Sequence, residues 1–396
     1  MIRSIDSFAY IIICILCVLL VGYIPFLFLI SCLLFLCFGS FVFDNKFLRL
    51  IFIALVSFYI IIVFASRNYF DELDSDLSIY HHFFSLLQIK LEYGLNVFGG
   101  GIEVGWPLLY WFVGIFFNLQ PIHLAIINTI FSIFLVLLWF ERKTIPYINK
   151  KEKGILYFFV FLFSNFLMLG FLQRQSLTLG ILLFALTSKN NRNLIFFIII
   201  ASLFHLSSIL VGLLIFLARN INFTKSRIFY ILGIILVARF FIVPLLIFLI
   251  SFIGLDVFTH KANTFISGEF SISTLRYFIL YLCLFPVLLH PQSFNKIEDK
   301  YLYNYAVLTT ICIIAFVGIP LFADRIFMIG LLIYGLFYYK FFFTKYKRLG
   351  ICFALLYLII FILEKLNVIG SLALGDTFWS RYNFWDMNFL YYLERL

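Results

Sequence analysis

The stretch GILYFFVFLFSNFLMLGFLQRQSLTLGILLFALTS, residues 154–188, contains two apolar runs with a very short polar interruption. Each run approaches the length of a membrane-spanning helix. The interruption carries Arg174 and Gln175 and is too short to form a loop outside the bilayer. We therefore predict two membrane helices that meet at Arg174. A charge at that depth costs several kcal/mol, so it normally survives only with a partner or a function.

The composition of the whole chain agrees with this local pattern. Apolar residues make up 64% of its 396 residues, and apolar runs recur from Phe8 to Leu363, which indicates a membrane protein. The net charge of +10 comes from basic residues spread over short loops. A membrane surface accounts for that spread better than a nucleic acid does, so membrane lipids are expected partners and nucleic acid is not.

No group of metal ligands stands out from the rest of the sequence. The seven cysteines lie inside apolar stretches, where they are interpreted as small buried apolar residues. The acidic residues between Asp71 and Asp76 are interpreted as part of a solvated loop, although such a group can also bind a cation. We therefore predict no bound metal and no cofactor.

The longest apolar runs predict about eleven full membrane crossings. They fall at residues 8–22, 26–43, 48–65, 121–140, 154–171, 173–188, 228–253, 273–289, 301–319, 326–343 and 350–363. The positive-inside rule places basic loops such as Glu141–Gly154, and with them the N terminus, on the inner side. We expect an all-α polytopic membrane protein with a single transmembrane domain over residues 1–396.

Two further apolar segments do not fit a simple crossing. Trp106–Asn118 is too short to span a membrane and is stopped by Pro121. A complete crossing by Leu194–Leu217 would put the basic residues that follow it outside. We predict a half-helix entering from the outer face for the first segment and a helix broken near His205 for the second. Interrupted helices at membrane depth are tolerated where they line a cavity.

The longest polar stretch predicts an outer loop over residues 66–105. Apolar residues at helical spacing predict an amphipathic helix within it that lies on the outer interface. This apolar stripe consists of Leu77, Tyr80, Phe84 and Leu87. Glu103 ends the loop just before the half-helix. Its carboxylate either caps the positive end of that helix or is held beside the arginines.

Five cationic or ionisable side chains lie within or against the apolar runs: Arg174, His205, Arg239, Arg276 and Arg325. Arginine dominates this set, whereas lysine dominates the predicted inner loops. Because arginine binds phosphate and carboxylate through two parallel hydrogen bonds, the set predicts an anionic substrate on the outer side. Two alternatives stay open: the arginines only extend to the outer lipid headgroups, and His205 is a structural residue.

Four short motifs follow one another in the first half of the chain. They are D-x-x-x-Y-x-x-x-F from Asp76, E-x-G-[WY]-x-L-L from Glu103, R-Q-x-L-x-x-G from Arg174, and A-x-x-F-H-x-S-[SA] from Ala201. In order and spacing, over about residues 60 to 215, the chain resembles the EpsG-type branch of the Wzy O-antigen polymerases. Trp106 stands where this family commonly has tyrosine, a change that keeps an aromatic platform.

This resemblance implies a GT-C-like enzyme of the polymerase and ligase type in the bacterial inner membrane. Such an enzyme joins oligosaccharide units carried on undecaprenyl diphosphate, with its active site facing the periplasm. A chain-length regulator in the membrane is a further implied partner. The implied diphosphate ligands are Arg174, Arg325 and Arg276, and the implied substrate contacts are Gln175, Asp76, Tyr80 and Trp106.

His205 and Glu103 are the two candidates for catalytic groups, because both flank interrupted helices at outer depth. The ordinary pKa of histidine lies near neutrality, so His205 is the favoured proton acceptor for the attacking hydroxyl. Glu103 is then expected to orient an arginine or the acceptor sugar. No base is needed if the diphosphate leaves readily enough from a cation-like transition state, and this alternative stays open.

Three other functions compete with polymerisation. An O-antigen ligase uses the same donor and similar arginines, and only the EpsG-like motifs favour a polymerase. A flippase or transporter for lipid-linked oligosaccharide would also hold cations in the membrane, but it usually shows internal repeats, and we find none in the sequence. A membrane acyltransferase would favour an aspartate or asparagine next to a histidine, which His205 lacks in sequence.

Overall fold

The computed structural model describes residues 25–65, 76–95, 101–117, 121–163, 173–253, 272–289, 296–316 and 328–365. Within these ranges every regular element is helical. The helices are α1 Pro25–Phe38, α2 Lys46–Ala65, α3 Asp76–Ile89, α4 Leu91–Leu95, α5 Gly105–Gly114, α6 Pro121–Trp139, α7 Lys153–Phe163, α8 Gln173–Leu186, α9 Asn191–Phe204, α10 Ser208–Asn220, α11 Lys225–Ile253, α12 Ile272–Leu288, α13 Ile297–Phe316, α14 Met328–Phe337 and α15 Lys347–Lys365.

Short segments of tighter or wider helix connect some of these elements. Three are 3-10 helices, Ser40–Asp44, Ile145–Tyr147 and Lys150–Glu152. Two are π-helical, Phe140–Thr144 after α6 and Tyr338–Phe343 after α14. The all-α prediction is therefore confirmed for the described residues. None of the described helices combines the length and the continuous apolar character that a membrane crossing requires. The number of crossings stays a prediction, and the run 8–22 lies outside the described residues.

The chain divides into two compact units. Among the described residues, the first unit holds those up to Leu183 together with Phe197–Ser208. The second holds Phe184–Phe196 and the described residues from Ile209 onward. The predicted single transmembrane domain over residues 1–396 stays a prediction beside this division.

In the first unit, α1 packs on α7, α2 packs on α6, and α3 packs on both α5 and α6. A buried apolar cluster joins α3, α5, α6 and α8, and its members are Tyr80, Phe84, Trp106, Tyr110, Leu124 and Leu177. The described part of the α3 stripe, Tyr80, Phe84 and Leu87, is buried. This apolar face is therefore turned to protein. The position of the 66–105 segment on the outer side stays a prediction.

In the second unit, α13 is the central helix. It packs against α11, α12 and α14, and nearly all of its side chains from Leu302 to Phe316 are buried. Three fully buried tyrosines lie in this core, Tyr281 on α12, Tyr305 on α13 and Tyr334 on α14. The rings of Tyr281 and Tyr334 pack edge to face with centroids 5.0 Å apart, which gives these aromatic residues a packing role.

Both segments that were predicted to be interrupted are short in the structure. α9 ends at Phe204 and α10 begins at Ser208, so the helix breaks at His205, as the sequence predicted. α5 covers only Gly105–Gly114, and Tyr110 on it donates a hydrogen bond to the Leu124 carbonyl of α6 at 3.1 Å. That α5 enters from the outer face stays a prediction.

A buried ion pair fixes the π-helical segment after α6. Arg49 on α2 binds both carboxylate oxygens of Glu141, at 2.7 Å and 2.8 Å, and Tyr157 on α7 donates to the same carboxylate at 2.7 Å. Burial raises the pKa of Glu141, but the hydrogen bonds from Arg49 and Tyr157 outweigh it and lower the pKa overall. The start of the basic loop Glu141–Gly154 is thereby tied to two helices.

The close contact of α1 with α7 depends on Gly154. A Cβ atom there would lie 2.7 Å from the Leu36 carbonyl oxygen, from Cδ2 of Phe43 and from Cα of Ser40. We expect Gly154→Ala to destabilise the first unit by about 1–3 kcal/mol, because two of those atoms are backbone and cannot move aside. Thermal unfolding of the purified protein in detergent measures this change.

Gly233, in the interior of α11, provides the matched control. A Cβ atom there meets nothing within 4 Å. Gly233→Ala should leave the unfolding temperature unchanged or raise it, since alanine is better than glycine in a helix by about 1 kcal/mol. Equal effects of the two substitutions would contradict the close contact at Gly154.

Candidate functional site

The carboxylate of Glu103 lies at the centre of a polar cluster in the first unit. Glu103 sits in the short connection before α5, two residues after Gly101, whose φ of 87° favours glycine. Its side chain is only 2% exposed. Oε2 accepts a hydrogen bond from Nη1 of Arg174 at 2.7 Å, and Oε1 lies 3.0 Å from Nδ1 of His205. Oε1 also accepts from the backbone N–H of Leu206 at 2.8 Å.

The break between α9 and α10 makes two of these contacts possible. Because the helix stops at Phe204, the N–H of Leu206 is available to a side chain instead of a helical carbonyl. Gly105 lets the connection before α5 approach this break, since a Cβ atom there would lie 3.0 Å from the ring of Phe204. The glycine of the second motif is therefore explained by close packing against the fourth motif.

Arg174 enters the cluster from the first turn of α8. Its Nε donates to the hydroxyl of Tyr80 on α3 at 2.9 Å, and its Cζ lies 5.4 Å from the centroid of the Tyr80 ring. This geometry combines a hydrogen bond with a cation–π contact. The Arg174 side chain keeps 22% of its surface exposed, so it is held by protein without being completely buried.

Aromatic rings support the cluster from one side. Trp106 packs against Tyr80 with ring centroids 4.9 Å apart, and against the edge of Tyr110 on α5. Trp106 has no exposed surface, so it packs against Tyr80 from the interior of the protein. Gln175, next to Arg174, is also buried. In this structure, Trp106 supports the Tyr80 ring from within the protein.

The remaining predicted site residues are not brought together by the described structure. Asp76 begins α3, but its side chain lies outside the described residues. Arg276 lies on α12 of the second unit, and its side chain is likewise outside them. Arg325 also lies outside the described residues. The structure thus unites Glu103, Arg174, His205 and Tyr80.

The charges around Glu103 favour a role in orienting Arg174 and His205 over a role in accepting a proton. Burial raises its pKa, but the hydrogen bond and charge of His205, the charge of Arg174 and the Leu206 N–H together lower the pKa to about 2. A carboxylate with this pKa stays ionised near neutral pH and is a poor proton acceptor. If Nδ1 of His205 carries a proton toward Glu103, Nε2 is the proton-accepting nitrogen of the neutral ring.

The polar side chains that meet at this site are not a set of metal ligands. No group of three or more histidine, cysteine, aspartate or glutamate side chains within the described residues could hold a metal ion. The polar atoms that meet are instead one carboxylate, one guanidinium, one imidazole and one phenol. This set can bind an anion through Arg174 and can exchange a proton through His205.

Sequence reasoning missed two features of this site. The N–H of Leu206 was not considered, although the predicted helix break at His205 implies unpaired backbone donors. The second feature is a set of buried polar residues on α6 and α8 next to Arg174, namely Asn128, Ser132 and Ser176. The sequence did contain a signal for this set, because its polar residues stand within apolar segments. Polar side chains inside a membrane helix need hydrogen-bond partners.

The helical fold and this carboxylate-centred cluster define an α-helical protein with a polar site built at interrupted helices. The model of the EpsG family matches residues 51–384, which include Tyr80, Glu103, Arg174 and His205. The chain therefore belongs to the EpsG family, whose members are membrane proteins of the polysaccharide polymerase type. No curated protein and no solved structure matches the chain.

The buried ion pairs of Glu103 predict a pH-dependent stability. We expect Glu103→Gln to cost about 3–5 kcal/mol at pH 7, because it leaves Arg174 without its charge partner. The folded pKa of about 2 lies below the ordinary value of 4.5, so this stabilisation is complete above about pH 4.5 and is lost as pH falls toward 2. The difference in unfolding temperature between wild type and variant should shrink from pH 5 to pH 3.

The control for this experiment is Glu92→Gln. Glu92 is exposed and forms a surface ion pair with Lys90, so its replacement should change stability little at any pH. A wild-type advantage over Glu103→Gln that stays constant down to pH 3 would show that the ionised carboxylate is not its source.

Proposed function

We propose that this protein joins undecaprenyl-diphosphate-linked oligosaccharide repeat units into O-antigen or a similar surface polysaccharide at the periplasmic face of the inner membrane. The observation that carries the proposal is the binding of both Arg174 and His205 by one carboxylate, Glu103, in a member of the EpsG family. An anion-binding group and a proton-accepting group are thereby held side by side. In the proposed glycosyl transfer from a lipid diphosphate, the first group binds the leaving diphosphate and the second accepts the proton of the attacking hydroxyl.

In the proposed reaction, a hydroxyl oxygen of the acceptor sugar forms a bond to the anomeric carbon of the donor sugar. The bond from that carbon to the diphosphate oxygen breaks, and undecaprenyl diphosphate leaves with the bonding electrons. The hydroxyl proton passes to His205. Glu103 stabilises the resulting imidazolium through its contact with Nδ1, as a carboxylate does for histidine in hydrolytic triads.

Arg174 is proposed to bind the leaving diphosphate, where negative charge increases as the bond breaks. Its hydrogen bonds to Glu103 and Tyr80 fix the plane of the guanidinium before substrate arrives. Arg325 and Arg276 are proposed as further diphosphate ligands. Asp76 is proposed to contact the sugars, and the buried Gln175, Tyr80 and Trp106 are proposed to support that contact surface from within the protein.

Deletion of the gene separates polymerisation from the competing functions. A polymerase mutant should lose long polysaccharide and keep the single-unit glycolipid, because ligation of single units still proceeds. Loss of both products would favour the ligase or the flippase. Membrane lipids surround the proposed enzyme, and a chain-length regulator in the membrane is a proposed partner.

The diphosphate role of Arg174 predicts a large effect of a conservative substitution. We expect Arg174→Lys to lower polymerisation by about tenfold or more, because a point-like ammonium does not replace two parallel guanidinium hydrogen bonds. Complementation of the deletion strain, with polysaccharide length read on gels and protein level read by immunoblot, measures the loss. Arg325→Lys should behave in the same way.

Arg192→Lys is the matched control, since Arg192 is exposed at the start of α9. It should complement fully. Normal polysaccharide in both Arg174→Lys and Arg325→Lys would remove the argument for diphosphate binding by these arginines.

The proton-acceptor role of His205 predicts a change in the pH–rate profile. Wild-type activity should fall on the acid side as His205 becomes protonated and can no longer accept a proton. We expect His205→Gln to be slower by about 10²–10⁴-fold and to lack this acid limb. A reconstituted system with extracted glycolipid is the assay. A near-normal rate with an unchanged acid limb would make His205 a structural residue and would favour transfer without a base.

A further inference from the structure

Three buried polar side chains join α6 to α8 next to the proposed site. Nδ2 of Asn128 donates to Oγ of Ser176 at 2.9 Å, and Oγ of Ser132 donates to the same oxygen at 3.0 Å. All three residues are completely buried. We call this set, Asn128 and Ser132 on α6 with Ser176 on α8, the polar clasp. All of it lies within the first unit.

The polar clasp determines how α8 sits on α6. Asn128 and Ser132 are four residues apart, so they lie on one face of α6 and converge on a single hydroxyl of α8. A slide or rotation of α8 by one residue would break both hydrogen bonds and leave buried polar groups unsatisfied. One turn further along α8, a Cβ atom on Gly180 would lie 2.5 Å from Cβ of Leu135, so the two helices are in close contact.

The polar clasp acts on the same helical turn that carries Arg174. Ser176 follows Arg174 by two residues in the first turn of α8. The Arg174 side chain begins at this turn, and the guanidinium at its far end is hydrogen-bonded to Glu103 and Tyr80. A change in the register of α8 would therefore move Arg174 away from both partners.

We propose that Asn128, together with Ser132 and Ser176, is a positioning residue that sets the placement of the Arg174 guanidinium for substrate binding. The inference rests on the proposed function, because it assigns these residues a role in binding the diphosphate. Helix association alone does not require these polar residues. An apolar seam of similar shape holds two helices together at similar stability, whereas hydrogen bonds between defined partners specify one register.

This reasoning defines the test variant. In Asn128→Leu/Ser132→Ala/Ser176→Ala all partners of the polar clasp are removed together, so no buried donor from it is left unsatisfied. The matched control is Ser57→Ala on α2, a buried serine whose hydroxyl donates to the Ile53 carbonyl of its own helix. Ser132→Ala alone is a milder variant that removes one of the two hydrogen bonds.

The first measurement is a double-mutant cycle with Arg174→Lys in reconstituted protein, using repeat-unit glycolipid extracted from the deletion strain. We expect the triple substitution to lower kcat/KM by about tenfold in the wild-type background, since small misplacements of a binding group are costly. In the Arg174→Lys background the same substitution should cost less than about twofold, because its effect passes through Arg174. Ser132→Ala should give an intermediate loss with the same dependence, and Ser57→Ala should give none.

The second measurement does not depend on activity. The Leu206 amide donates to Glu103, so hydrogen exchange in a peptide covering residues 203–209 reports whether that carboxylate stays in place. We expect exchange of this amide to be about fivefold faster or more in the triple variant, and in Ser132→Ala to a smaller extent. Exchange in Ser57→Ala should match wild type.

The outcomes separate the inference from the proposed function. Equal losses of activity in the wild-type and Arg174→Lys backgrounds would overturn the positioning role and leave the polymerase intact. If the wild-type protein does not elongate the glycolipid, the proposed function fails. In that case the hydrogen-exchange measurement still tests the inference. Unchanged exchange of the Leu206 amide in both clasp variants would show that the polar clasp does not position Arg174.

Discussion

The candidate site depends on the need of one buried carboxylate for hydrogen-bond donors. Glu103 is almost fully removed from solvent, and an isolated charge there would be very costly. Three donors compensate it: the Arg174 guanidinium, the His205 ring and the Leu206 N–H. Each comes from a different local feature, namely the start of α8, the residue at the helix break and the backbone that the break leaves unpaired. The interruption of the helix at His205 is therefore part of the site.

The charge of this cluster constrains the proposed chemistry. The charges of Glu103 and Arg174 cancel, so the pair alone supplies orientation more than net positive charge. A diphosphate would need further cations, and for this reason Arg325 and Arg276 remain necessary parts of the proposal.

Several features of the fold and site could be predicted from the sequence. The apolar runs predicted an all-helical chain. The positive-inside rule, applied to the basic residues that follow Leu194–Leu217, predicted the helix break near His205 that the structure shows. The position of Glu103 before a short helix suggested a carboxylate beside the arginines. The sequence could not show that Tyr80 accepts a hydrogen bond from Arg174, or that Asn128 meets Ser176, because these pairs are 94 and 48 residues apart and depend on how helices pack. The α3 stripe illustrates the same limit, since its periodicity does not distinguish a lipid-facing surface from a protein-facing one.

Reconstitution of the purified protein in liposomes with a single-unit glycolipid tests the central claim most directly. The account predicts a ladder of longer glycans on lipid, with one undecaprenyl diphosphate released for each unit added, and a decrease of about tenfold or more in both products in Arg174→Lys. Glycolipid that remains at one unit, or that moves between leaflets without elongation, would contradict it.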